Sequence, residues 1–126
     1  MPAVECTGIL NYDPHDTIKV TAGEDLSMGE CCYIHTDGEA YAVDDGLSTK
    51  VAGVALKDIS ENEKITLITR CRMKVDTTQT IGARIYTGAV SGGSAPSSTL
   101  ATDGVCCGYA YESDKVYFTA PCQPAA

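Results

Sequence analysis

Short runs of alternating apolar and polar residues, broken every few positions by turn formers, organise this chain. Thr17-Ile18-Lys19-Val20-Thr21 and Lys64-Ile65-Thr66-Leu67-Ile68-Thr69 are rich in β-branched residues with a period of two. Arg70-Cys71-Arg72-Met73-Lys74-Val75 alternates strictly, sending three cations to one face and Cys71, Met73 and Val75 to the other. This last segment predicts a half-buried wall with a positive outer surface. Nowhere does an apolar stripe of helical period persist over three turns, so the pattern predicts an all-β fold. Asp37-Gly38 and Asp45-Gly46 are turn signals, and Asn11-Tyr12-Asp13-Pro14 marks a loop ahead of the first confident strand.

The pattern also repeats. Met28-Gly29-Glu30-Cys31-Cys32-Tyr33 lies 53 positions before Ile81-Gly82-Ala83-Arg84-Ile85-Tyr86. Gly53-Val54-Ala55-Leu56 answers Gly108-Tyr109-Ala110-Tyr111, and the run from Lys64 answers Lys115-Val116-Tyr117-Phe118-Thr119. Each copy, about 22–69 and 77–120, reads as a strand after Gly, a strand carrying Gly-x-Ala, an acidic turn and a strand beginning at Lys. One copy has too few apolar positions to bury alone, so the two are expected to share a core as a small β-barrel or sandwich.

Outside the repeats, residues 1–16 and 121–126 bear prolines and turn formers. The expectation is an extended N-terminal arm over 1–16, a single β domain over 17–126, and a turn-like C-terminal tail. The polar loop Ser91-Gly92-Gly93-Ser94-Ala95-Pro96-Ser97-Ser98, with Asp44-Asp45-Gly46-Leu47-Ser48-Thr49 in the matching place of the first copy, is where a repeated scaffold would build partner contacts.

Charge narrows the partners. The 126 residues carry a formal net charge of -8, a field that repels phosphate backbones and anionic lipid heads, so neither nucleic acid nor membrane is an expected partner. No run approaches the roughly 18–20 apolar residues of a membrane helix. The charge is uneven: residues 1–63 hold 13 Asp/Glu against 3 Lys/Arg, and residues 64–126 hold 4 against 6. The acidic half could meet the basic half of a neighbouring copy, or both could be solvated faces of a monomer.

Candidate chemistry is sparse. A Cys–His nucleophile pair would have to use His15 or His35, and adjacent strand cysteines such as Cys31 and Cys32 point to opposite faces. The seven cysteines include no C-x-x-C, their spacing fits no zinc site, and their odd number leaves one over under any bridging scheme. With no secretory signal in view, reduced core thiols are expected over disulfides. Asp13, His15 and Asp16 offer metal donors without a recognised spacing, the carboxylates Glu24, Asp25, Asp44 and Asp45 follow no calcium-loop pattern, and Gly92-Gly93 lacks the lysine and helix of a phosphate loop. The reading is a non-enzymatic protein without cofactor or metal.

Against that background, three stretches carry a resemblance: Val20-Thr21-Ala22-Gly23-Glu24-Asp25-Leu26-Ser27-Met28-Gly29-Glu30-Cys31-Cys32-Tyr33-Ile34, then Asp37-Gly38-Glu39-Ala40-Tyr41-Ala42, then Val51-Ala52-Gly53-Val54-Ala55-Leu56. Over residues 18–75 the chain resembles the head decoration, or cement, proteins of tailed bacteriophages. The resemblance implies a structural virion protein, made in the host cytoplasm, that sits on the outer surface of an expanded capsid. It would act as a homo-oligomer, a trimer first of all, clamping neighbouring copies of the major capsid protein through buried interface area. On that implication the N-terminal arm orders against the capsid and the charged strand registers neighbours, which makes Pro2, Ala3, Val4, Ile9, Leu10, Arg70, Arg72 and Lys74 the interface candidates.

A reading from another class is a small-ligand or carbohydrate-binding β module, in which Tyr41, Tyr109, Tyr111 and Tyr117 line a pocket. A concave tyrosine-lined site would discriminate it. An enzymatic reading would need His15 within hydrogen-bond reach of a cysteine.

Overall fold

The computed structural model describes residues 4–43, 51–87, 94–98 and 105–124. The strands are β1 (Cys6–Asn11), β2 (Thr17–Thr21), β3 (Cys31–Ile34), β4 (Ala40–Ala42), β5 (Gly53–Ala55), β6 (Lys64–Ile68), β7 (Arg70–Val75), β8 (Arg84–Thr87), β9 (Val105–Glu112) and β10 (Lys115–Pro124), with one short 3-10 turn at Pro14–Asp16. They form two antiparallel five-stranded sheets, ordered β1-β7-β10-β9-β8 and β2-β6-β5-β3-β4. Neither closes into a barrel, so of the two all-β architectures expected, the molecule takes the open sandwich.

Each sheet holds the strands of one copy together with the strand that precedes that copy, β2 before the first and β7 before the second, and β1 adds a fifth strand beside β7. Reading β2-β6-β5-β3 against β7-β10-β9-β8 gives the same order. The backbone hydrogen bonds follow. Gly29 N donates to Ala55 O at 2.7 Å and Gly82 N to Ala110 O at 2.8 Å; Ala22 N donates to Glu63 O and Val75 N to Asp114 O; Thr69 N donates to Asp16 O and Ala120 N to Thr69 O. Gly29 and Gly82 both turn at positive φ, +77° and +84°. The repeated glycines of β5 and β9 share a second reason. A Cβ on Gly53 would press on the Ile68 carbonyl, and one on Gly108 would press on the Tyr117 carbonyl.

The two copies pack face to back. Strict alternation puts Ile65 and Leu67 of β6 in a small core with Ala22, Leu26, Cys32, Ala40 and Ala55, on the outer side of the first sheet. Their counterparts Val116 and Phe118 of β10 instead fill the main core between the sheets, with Cys71, Met73, Val75, Ile85 and Ala110. The first sheet contributes its opposite side to that core, through Cys31, Tyr33, Val54 and Ile68. Adjacent Cys31 and Cys32 thus serve two different cores, as the pleat requires.

Two expectations for the ends are corrected. Residues 6–11 are no arm: they form β1, whose partner is β7, with Cys6 opposite Val75 and Asn11 opposite Arg72. Val4 is buried, its amide on Ser94 Oγ at 3.1 Å. Two register shifts interrupt β1, which destroys the alternation that would have marked it as a strand. At the other end β10 runs to Pro124 where a tail was expected.

Candidate functional site

The predicted wall is where it should be. In β7, Cys71, Met73 and Val75 are buried while Arg70, Arg72 and Lys74 are exposed on the outer side of the sheet. Register extends this line across the whole sheet. Arg84 of β8 stands opposite Tyr109 of β9, Tyr109 opposite Tyr117 of β10, Tyr117 opposite Arg72 of β7, and Arg72 opposite Asn11 of β1. The Tyr109 and Tyr117 rings lie 5.6 Å apart, centroid to centroid, and the Arg72 guanidinium sits 5.8 Å from the Tyr111 ring centroid. Tyr109 is half exposed, at 50%.

Charges around this row are partly spent. Lys115 Nζ reaches Glu112 at 3.1 Å and Asp114 at 3.4 Å, and Lys74 Nζ reaches Asp114 at 3.6 Å. Lys115 is raised by its bond to the Glu112 carboxylate, and Asp114 is lowered because both lysines outweigh its loss of solvent. Burial pushes the Tyr111 hydroxyl up, against the pull of Arg72. Arg70, Arg72 and Arg84 make no ion pair among the described residues. Guanidinium groups beside flat aromatic rings, unneutralised and exposed, are the composition of protein contact surfaces.

The remaining interface candidates scatter. Ile9 is half-buried against the main core, Leu10 is exposed on β1, and Val4 is spent on the core. Pro2 and Ala3 lie outside the described residues, as do residues 44–50 and 91–93 of the two matching loops. Ser94 and Ala95, from the end of the second loop, are buried and tie it to Val4 and Cys31: Ala95 N donates to Val4 O and Cys31 N to Ser94 O, each at 3.0 Å.

The tyrosines do not converge. Tyr41 belongs to β4 of the first sheet, where its ring covers Gly23 and stacks near Tyr33 and His35, while Tyr109, Tyr111 and Tyr117 belong to the other sheet. The Tyr41 hydroxyl donates to Asp37 at 2.7 Å; that bond pushes it up to about 12 and holds Asp37 below its ordinary value.

Cysteine and histidine also stay apart. His15 is almost fully exposed, its Nδ1 3.2 Å from Asp13. Cys6, Cys31, Cys32 and Cys71 are buried and stand outside any disulfide; burial pushes Cys6 to about 11 and Cys71 to about 12, and Cys32 well above its ordinary value. Such groups are inert fillers. Cys107 departs from the reduced-core expectation and is disulfide-bonded. Among the described residues no group of three or more His, Cys, Asp or Glu side chains is placed to hold a metal ion.

What the sequence did not single out is Arg84, whose place at the end of the row depends on register. Its match to Cys31 in the repeat was the available signal: a cation where the other copy buries a thiol. Compared with known proteins, the chain matches no family model and no curated protein.

Proposed function

We propose that this chain is a structural virion protein that binds the outer surface of an expanded phage capsid as a homo-oligomer and stabilises it by clamping neighbouring major capsid subunits. The observation that carries the reading is the Arg84, Tyr109, Tyr117, Arg72 row, a line of exposed and half-buried side chains across the outer side of one sheet. The resemblance over residues 18–75 supports it as well, and the residues that carry the resemblance have packing roles: Gly23 lies under the Tyr41 ring, Leu26 fills the outer core, Gly29 and Gly38 turn at positive φ, and Gly53 lets β5 approach β6. They specify a scaffold and leave the opposite sheet free to meet a partner.

Area argues for many copies acting together. Five strands about 4.8 Å apart, with some six residues each, give a face of roughly 400 Å² in projection, about half of what one partner contributes to a standard interface. One copy would bind modestly, and repetition over a lattice would supply the clamp.

Co-sedimentation with expanded, empty phage heads tests this. Saturable binding at a fixed ratio to the capsid subunit, lost in a folded Arg72→Ala/Tyr109→Ala double variant, is the expected result. A protein that leaves heads unoccupied at every concentration would remove the reading.

A further inference from the structure

Three lysines on and beside the first sheet share one place on the surface. Residues 1–69 contain only Lys19, Lys50, Lys57 and Lys64 as cationic residues, and three of them line a single surface cavity of about 220 Å³ together with Leu56 and Thr66. Lys19 stands opposite Thr66 in the β2/β6 ladder, and Lys64 opposite Thr21. None of the three lysines has a carboxylate within ion-pair distance among the described residues. The carboxylates next to them in sequence are engaged elsewhere: Asp58 accepts from Met28 N at 2.8 Å and Glu63 from Ser60 N at 3.2 Å.

The second copy of the repeat shows what this position looks like when it is self-neutralised. Through the shared backbone bonds, Lys19 corresponds to Arg72, Leu56 to Tyr111, Lys57 to Glu112, Lys64 to Lys115 and Thr66 to Tyr117. There, Glu112 pairs with Lys115 and a tyrosine ring takes the arginine. In the first copy a lysine replaces that glutamate, a leucine replaces that ring, and the pairing is gone. Three lysines that line one cavity and make no ion pair among the described residues repel one another, and an anion held in the cavity would relieve that repulsion.

We propose that the Lys19, Lys57, Lys64 cavity is a binding site for a small multivalent oxyanion of the phosphate or sulfate type, held by the three ammonium groups and the Thr66 hydroxyl. Lysines act on such anions as movable point charges with three donors each, and a cavity of this size admits one tetrahedral group or a linked pair. The site lies on the first sheet, away from the Arg/Tyr row, and does not depend on the capsid reading.

The test is an NMR titration of the intact protein with inorganic pyrophosphate and, separately, sulfate, against sodium chloride at matched ionic strength. Saturable shifts at Lys19, Lys57, Lys64 and Thr66, in the millimolar range or tighter and absent with chloride, are expected. Lys57→Glu, which installs the arrangement of the second copy at an exposed position, should weaken binding at least about tenfold while leaving the melting curve near wild type. Shifts of equal size at Lys74 and Lys115, or none up to the solubility of the salts, would overturn the proposal. So would undiminished binding by Lys57→Glu.

Discussion

Gly29 lies against Cys6: a Cβ built on Gly29 would come within 2.7 Å of the Cys6 sulfur and closer still to its Cβ. Gly82, its counterpart in the second copy, faces open space. Both adopt positive φ, so alanine is strained at either, at a cost of about 1–2 kcal/mol. Only at Gly29 does a clash add to this, typically another 1–3 kcal/mol. Urea unfolding should therefore rank Gly29→Ala well below Gly82→Ala, and equal losses would refute the packing of β1 over that turn.

Glu30 should make stability fall with rising pH. Its side chain is buried, and loss of solvent raises it to about 7, with the Ser27 amide at 3.3 Å as partial compensation. A carboxyl whose folded value lies above its unfolded one binds its proton more tightly in the folded state. The contribution is thus complete below about pH 4.5, declines between there and 7, and is gone above, a swing on the order of 3 kcal/mol. Glu30→Gln should flatten that part of the stability profile and stabilise the protein at pH 8. A wild-type profile rising from pH 5 to 7 with no change in the variant would contradict the burial.

Tyr41 offers a spectroscopic check on the β3/β4 hairpin. With Asp37 replaced by Asn, the acceptor loses its charge and the Tyr41 hydroxyl should fall from about 12 toward the ordinary tyrosine value of 10.0. Ultraviolet titration of the phenolate band, with Tyr41→Phe to assign it, measures the shift. An unmoved titration would mean that the 2.7 Å bond does not persist in solution.

The buried thiols predict reactivity that tracks unfolding. Cys6, Cys31, Cys32 and Cys71 should be silent toward a thiol reagent in native buffer and react together as urea opens the sandwich. Rapid labelling of any of these four without denaturant would place that residue outside the core.

Much of this architecture was readable where pattern is local. The strands β2, β6 and β7, the alternating burial of β7, the Asp37-Gly38 turn and the opposed faces of Cys31 and Cys32 all follow from signals within one segment, although Ile18 of β2 is exposed. β1 was not readable, because its register shifts break the period and its partner lies more than sixty residues away. The repeat disclosed that similar strands recur in the same succession along the chain, yet neither their order within a sheet nor that the two sheets stack face to back. That follows from which side of each sheet meets the common core, and a duplicated pattern is the same for either side. For the same reason the repeat could not place Tyr109 and Tyr117 on the outer face: the first copy has Val54 and Thr66 in their places, and Val54 is buried.

The placement of β1 has a mechanical consequence. Both β1 and β10 run antiparallel to β7 and so parallel to each other, with Cys6 near the level of the start of β10 and Pro124 at the other end of β10, past the stretch that pairs with β7. A pull applied at residue 4 and residue 124 drags the two strands along β7 in opposite directions. The ladder hydrogen bonds lie across that line of force, so they are loaded together in shear and cannot be peeled open one at a time. Stretched along this axis, the second sheet resists as a unit, with β7 as its central tie.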